Sequence, residues 1–315
     1  MITSFFKTSK PSHYLIFLFL LLSVFVFQRF EAYQTNTLSV SYLKEFTALC
    51  MFFVTLFVFV FVITKNDLTQ NNSFAAFYLC LFILLLPQSL SDAFVLGSNL
   101  FVLLSFRRIF SLKTNTNIKR KLFDAGFWIA LATLFHPPAA LYFSPLIFAI
   151  FLLPSDIFKH LFSVFFGVIT IGLLAVFYDF FIFNEIKFWK KLMPQINLDF
   201  SVFNDIFLVL SITLLITLTI WTLSSLFNTM MIKVSKTRFT FLMLSFAIVL
   251  GFIIPVFSPT KTEPSFLFLL FPLSIVMANF TEHEKSEGMP NAIILVILGL
   301  AFTKIGFNIQ DLLRL

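Results

Sequence analysis

The feature that most constrains this chain is a near-unbroken succession of apolar runs of bilayer length. Tyr14 to Phe27, Phe46 to Thr64, Phe207 to Phe227 and Phe239 to Phe257 are examples, each parted from the next by a short polar stretch. A helix rises about 1.5 Å per residue, so about 20 apolar residues cross the hydrocarbon core of a membrane. Composition agrees. Apolar residues make up 59% of the chain and charged residues 12%, with a mean hydropathy of +0.97, whereas soluble domains carry about 25% charge. A water-soluble chain of 315 residues could not hide that much apolar surface. The reading is an all-α polytopic transmembrane bundle. It forms one integral membrane domain over residues 1–315, with a core at about 14–200 and additional helices over 205–310.

The 50 phenylalanines, set against 8 glycines, read as Phe standing in for Leu on lipid-facing surfaces. So few glycines also imply few close helix crossings of the small-residue kind. The formal charge of +7 would suit nucleic acid, but the basic residues sit in short loops between apolar runs. That is the placement that sets membrane topology, and it excludes nucleic-acid binding. Cys50 and Cys80 both fall inside apolar runs and offer neither a disulfide framework nor metal-ligand spacing.

Taken in order, Lys7 and Lys10 precede a first helix with no small-residue cleavage site after it, so the helix is read as uncleaved and entering from the cytoplasm. A polar segment, Arg29 to Glu45, then lies outside. Helices follow near Phe46–Thr64, Ser73–Leu86 and Ala93–Phe106, the Ser73–Leu86 helix stopping around Pro87. The loop RRIFSLKTNTNIKRK holds Arg107, Arg108, Lys113, Lys119, Arg120 and Lys121 and no acid, and it is the strongest cytoplasmic signal.

Beyond it, Leu122–Phe135 and Ala139–Leu153 flank His136-Pro137-Pro138. Each half spans roughly 23 Å at 1.5 Å per residue, short for a bilayer. The pair is either two short helices or one long broken one. Two consecutive prolines, each lacking an N–H and restricting its predecessor, favour a turn. Further helices near His160–Phe183, Phe207–Phe227, Phe239–Phe257, Ser265–Phe280 and Ala292–Phe307 bring the expected total to about eleven. With a turn at His136, the later loops put Lys159, Lys233, Lys236, Arg238 and Lys285 inside. Lys187, Lys190, Lys191, Lys261, Lys304 and Arg314 then fall outside, which is no bias. The stretch NEIKFWKKLMPQINLDF, external on this threading, suits a short helix lying in the interface.

An acid at Asp92, an apolar helix ending in Arg107-Arg108, a basic loop, then AGFWIALATLFHPPAALYFSPLIFAIFLL together resemble the GT-C superfamily. The likeness is to its polyprenyl-phosphate-dependent glycosyltransferases, and it covers about a third of the chain. It implies a membrane enzyme at the outer face of a bacterial inner membrane that transfers a sugar from a polyprenyl-phosphate donor. Such chemistry needs a carboxylate to take the acceptor's proton or to bind a divalent cation, and cations to hold the phosphate. By resemblance, Glu31 takes the place of the first-loop catalytic acid and Asp92 that of the acid before the next helix. His136 stands where the family often has Lys, and Arg29, Lys187, Lys190 and Lys191 would contact substrate. The family's adjacent acid pair is missing, because Glu31 is alone and Glu45 is distant.

Each residue also has a plainer reading. Acids are common at helix ends, and Asp92 can simply cap the following helix. His136 can be a backbone-satisfied turn residue, and Lys190 and Lys191 can anchor to anionic headgroups. The competing function is a non-catalytic integral membrane subunit or scaffold of a cell-envelope complex, bound to another membrane protein. Two further classes fit worse. Carotenoid-cleaving membrane dioxygenases need several histidines on facing helices, and His13, His136, His160 and His283 sit at span edges. A transporter needs broken helices at the midplane, for which His136-Pro137-Pro138 is the one candidate, without a mid-span ionisable pair.

Overall fold

The computed structural model describes residues 2–34, 42–153, 156–186, 192, 199–232, 235–259, 261–284 and 286–314. Among them no strand occurs. The helices are α1 (Ile2–Phe6), α2 (Pro11–Gln34), α3 (Tyr42–Asn66), α4 (Phe74–Leu85), α5 (Ala93–Ser111) and α6 (Ile118–Phe135). They continue as α7 (Phe143–Phe151), α8 (Ile157–Phe183), α9 (Ile206–Ile232), α10 (Ser235–Phe257), α11 (Leu267–His283) and α12 (Gly288–Arg314). Short 3-10 turns at Pro87–Leu90, Pro137–Tyr142 and Glu263–Phe266 lead into α5, α7 and α11. Among the described residues, eight helical stretches are long and apolar enough to cross a membrane; Phe74–Leu85 and Pro137–Phe151 are apolar but shorter.

Burial separates centre from edge. In Glu263–His283, 94% of the most apolar window is buried, against 17% in Ile157–Phe183. A helix that is apolar all round belongs in the middle of a bundle, and α11 packs there on α4, α9 and α10. α4 is nearly as enclosed. Protein surrounds it on its flanks, so it need not match the bilayer in length. At the edge, α8 presents Phe158, Phe162, Phe165, Phe166 and Phe181 outward, as expected where Phe replaces Leu against lipid. It is held mainly by α6.

That contact is close. A Cβ at Gly167 would lie 2.5 Å from the Phe123 carbonyl oxygen, and one at Gly126 would lie 2.9 Å from that of Val164. Only a residue without a side chain lets the two backbones meet there. Gly251 on α10 does the same against Leu269 of α11, where a Cβ would come within 2.6 Å of Cα.

The His136 region is a true turn. α6 ends at Phe135 and His136 is extended (φ −143°, ψ 101°). The 3-10 turn over Pro137–Tyr142 then reverses the chain. Lys119 at the start of α6 acts electrostatically on Asp156 and His160 beyond α7, so α7 returns to the basic end. Pro272 inside α11 explains where this turn docks. It has no N–H for the carbonyl four residues back, and Tyr142 donates its hydroxyl to that carbonyl, Phe268 O, at 3.3 Å. Ser144 likewise donates to Leu141 O at 2.6 Å, the carbonyl that Pro145 leaves without a helical partner.

Two expectations need correction. The polar stretch Arg29 to Glu45 is not a loop throughout. Helix α2 runs on through Arg29 and Glu31 to Gln34, and α3 already begins at Tyr42, because QRFEAYQ contains no residue that stops a helix. The later charges Lys261 and Lys304, counted on the outside as topology charges, are both buried within the bundle.

Candidate functional site

One end of the bundle gathers several of the residues singled out by sequence. Asp92 follows the Pro87–Leu90 turn with extended backbone. Its Oδ1 accepts hydrogen bonds from the amides of Phe94 at 2.7 Å and Val95 at 3.3 Å. The carboxylate is therefore the N-cap of α5, satisfying two amides that the helix itself leaves open. Arg29 reaches across from α2. Its Nη2 donates to Ser91 O at 3.1 Å, its Nε lies 2.6 Å from Glu45 Oε2 on α3, and its guanidinium stands over the Phe25 ring at 5.0 Å. One side chain thus ties α2, α3 and the entry to α5 together.

His136 lies at the same end, in the turn outside α6 and α7. Its amide donates to Ala132 O at 2.9 Å and its carbonyl accepts from Ala139 N at 2.9 Å. Its ring stacks on Phe268, with centroids 5.6 Å apart and planes 21° apart. The side chain is buried, and Nε2 has no hydrogen-bond partner. Burial pulls the imidazole down to about 4 from the ordinary histidine value, with the charge of Asp92 working the other way. A neutral imidazole beside a committed carboxylate is a packing arrangement more than a proton relay.

Glu31 falls on α2, with its side chain outside the described residues, and Lys187, Lys190 and Lys191 lie outside them altogether. Arg29, Asp92 and His136 are therefore the members of the expected set that come together. Among the described residues no three of His, Cys, Asp or Glu form a metal-ligand group.

A second cluster at this end went unread in the sequence. Lys304 of α12 donates to Glu263 Oε1 at 3.0 Å, with both side chains buried, and Glu263 Oε2 accepts from Gln88 N at 3.1 Å. The pair links α12, the turn into α11 and the turn into α5. It is an ionisable pair within candidate spans, which the sequence reading did not find. The signal was present: Glu263 opens one apolar run and Lys304 interrupts the next, and intramembrane charges nearly always pair. Nearby, Lys261 donates to the Pro255, Val256 and Ser258 carbonyls. It closes the C-terminus of α10, where a cation suits the exposed carbonyls. Burial lowers its ammonium below the ordinary lysine range.

The opposite, basic end is pinned by Arg108 to Asp124 at 2.7 Å and by Lys121 donating to Ser111 O at 2.6 Å. There a cavity of about 470 Å³ opens between the loop after α3 and helices α9, α10 and α11. Neither Asp92 nor His136 lines it.

These features define an all-α bundle of membrane-length apolar helices, tied together at one end by Arg29, Glu263 and Lys304 and at the other by Arg108 and Lys121. The chain belongs to the family of unknown function DUF6427, whose profile matches residues 8–311. Compared with curated proteins and with solved structures, the chain has no match.

Proposed function

We propose that the chain is a non-catalytic integral membrane subunit, a scaffold for a cell-envelope complex in a bacterial inner membrane. On this reading the N-terminus is cytoplasmic, the helices make about eleven crossings, and the Asp92 end faces outward. The supporting observation is the employment of four described acids at that end. Asp92 caps α5, Glu45 pairs with Arg29, Glu263 pairs with Lys304, and Asp205 accepts from the amides of Phe207 and Leu208 at the start of α9. Each of these carboxylates holds a helix start or joins two elements, which is the work of a scaffold. The orientation rests on the cationic loop between α5 and α6. The test is purification of the full-length chain from its own membranes in mild detergent. A stoichiometric membrane partner is the expected result, and a chain that purifies alone contradicts it.

A second reading keeps the GT-C-like transferase acting on a polyprenyl-phosphate sugar. It is favoured by the gathering of Arg29, Asp92 and His136 at one end, an arrangement of cation, acid and imidazole that a phosphate-linked sugar would need. Its test is envelope glycan labelling in cells carrying Asp92→Asn or Glu31→Gln. Loss of label at normal protein level supports the transferase, and wild-type labelling in both removes it.

A further inference from the structure

The cavity at the basic end has a graded wall. On α10 its lining runs Thr237, Thr240, Phe241, Leu244 from the helix start inward. On α11 it runs His283, Asn279, Val276 from the helix end inward. Both helices therefore change from polar to apolar in the same direction, over seven residues or roughly 10 Å. Leu226 of α9 adds to the apolar part. The volume, about 470 Å³, is that of a small-molecule site, and the gradient is that of an amphiphile with its head at the helix ends.

Charge selects the head. Asp67 and Glu282 line the polar part together with Lys113 and the imidazole of His283, so among the described lining residues two carboxylates stand beside one ammonium. Glu282 also fixes the wall: its Oε1 accepts from Gln70 N at 3.0 Å and Asn72 Nδ2 at 2.6 Å, and Asn279 Nδ2 donates to Leu68 O at 2.9 Å. The loop is thus held in place rather than left to collapse into the space. Two carboxylates favour an ammonium, and Lys113, which donates to Asn66 O, supplies a partner for a phosphate oxygen. The basic surroundings would ordinarily draw anionic lipid. The described lining of the cavity, with two carboxylates to one ammonium, favours a cationic group instead.

We propose that this cavity binds a membrane lipid bearing a phosphate and a primary ammonium, as in phosphatidylethanolamine, with the ammonium at Asp67 and Glu282 and the acyl chains leaving past Phe241 and Leu244. The site is at the other end from Asp92 and stands or falls separately from the scaffold reading.

The experiment is native mass spectrometry of the delipidated full-length chain, titrated in detergent with dioleoylphosphatidylethanolamine or dioleoylphosphatidylglycerol. The ethanolamine lipid is expected to bind more tightly. Asp67→Asn is the informative variant, because Asp67 has a left-handed backbone (φ 50°) that asparagine tolerates. At this exposed position the loss of one charge is expected to weaken ethanolamine-lipid binding about two- to fivefold and to leave the glycerol lipid unchanged or improved. Equal binding of both lipids, or an ethanolamine-lipid affinity in the variant equal to wild type, overturns the proposal. Displacement of the lipid by free phosphoethanolamine at equal concentration overturns its lipid clause and assigns the site to a soluble amine.

Discussion

Removing Lys304 tests whether the buried charges at the Asp92 end hold the bundle. Lys304 Nζ and Glu263 Oε1 are 3.0 Å apart with side chains 5% and 8% exposed, and the other carboxylate oxygen takes only the Gln88 amide. Lys304→Met leaves that carboxylate buried with one neutral donor. Breaking a buried pair from one side costs about 3–5 kcal/mol, chiefly because the remaining charge is uncompensated. Glu263→Gln alone strands the ammonium but keeps an oxygen for Gln88, so its cost is expected at the lower end of that range. In the double variant both charges are gone and the Gln88 bond survives, so its cost should fall well below the sum. A coupling of at least about 2 kcal/mol is expected for groups in direct contact. The assay is equilibrium unfolding of the four proteins in mixed micelles, closed as a double-mutant cycle. Single variants that each cost less than about 1 kcal/mol and add without coupling would refute the reasoning.

Asp92→Ala should destabilise by about 1 kcal/mol through loss of the α5 cap, while Asp92→Ser should cost only a few tenths; thermal unfolding of the two variants distinguishes cap from bystander. Because burial depresses the His136 imidazole to about 4, the unfolded chain binds a proton first as pH falls. Stability is therefore full above about 6.5 and declines from there through about 4, by about 3 kcal/mol in total. His136→Gln should flatten that decline in an unfolding series over pH. Gly167→Val would place a side chain against the Phe123 carbonyl, where even a Cβ has only 2.5 Å. It should loosen α8 from α6 at a cost of at least about 1–3 kcal/mol, read as faster proteolysis at the α8 ends.

The bundle was legible because apolar length is a one-dimensional property. Runs of bilayer length announce helices whatever packs against them, and Pro137-Pro138 favours a turn through local backbone chemistry. The boundaries that slipped were those where polarity and helix stop separately, as at Arg29–Gln34, where polar side chains continue a helix. The site was harder because its contacts join residues distant in the chain. Asp92 sits at a helix start, so catalysis and capping predict the same position, and only its bonds to the Phe94 and Val95 amides tell them apart. Lys304 entered only as a charge on the outer side, and nothing local connects it to Glu263 41 residues away. Gly126 and Gly167 were similarly mute. A chain with few glycines suggested few close crossings, but only the fold reveals that these two meet on facing helices.

The central claim is that the acids at the Asp92 end are structural. The most direct measurement is envelope glycan labelling in cells whose only copy carries Asp92→Asn, a substitution that keeps an N-cap but removes a base, with the amount of folded protein measured in the same membranes. Labelling equal to wild type per folded chain is the predicted result. Loss of labelling from a chain that is fully folded and present at normal level would contradict it.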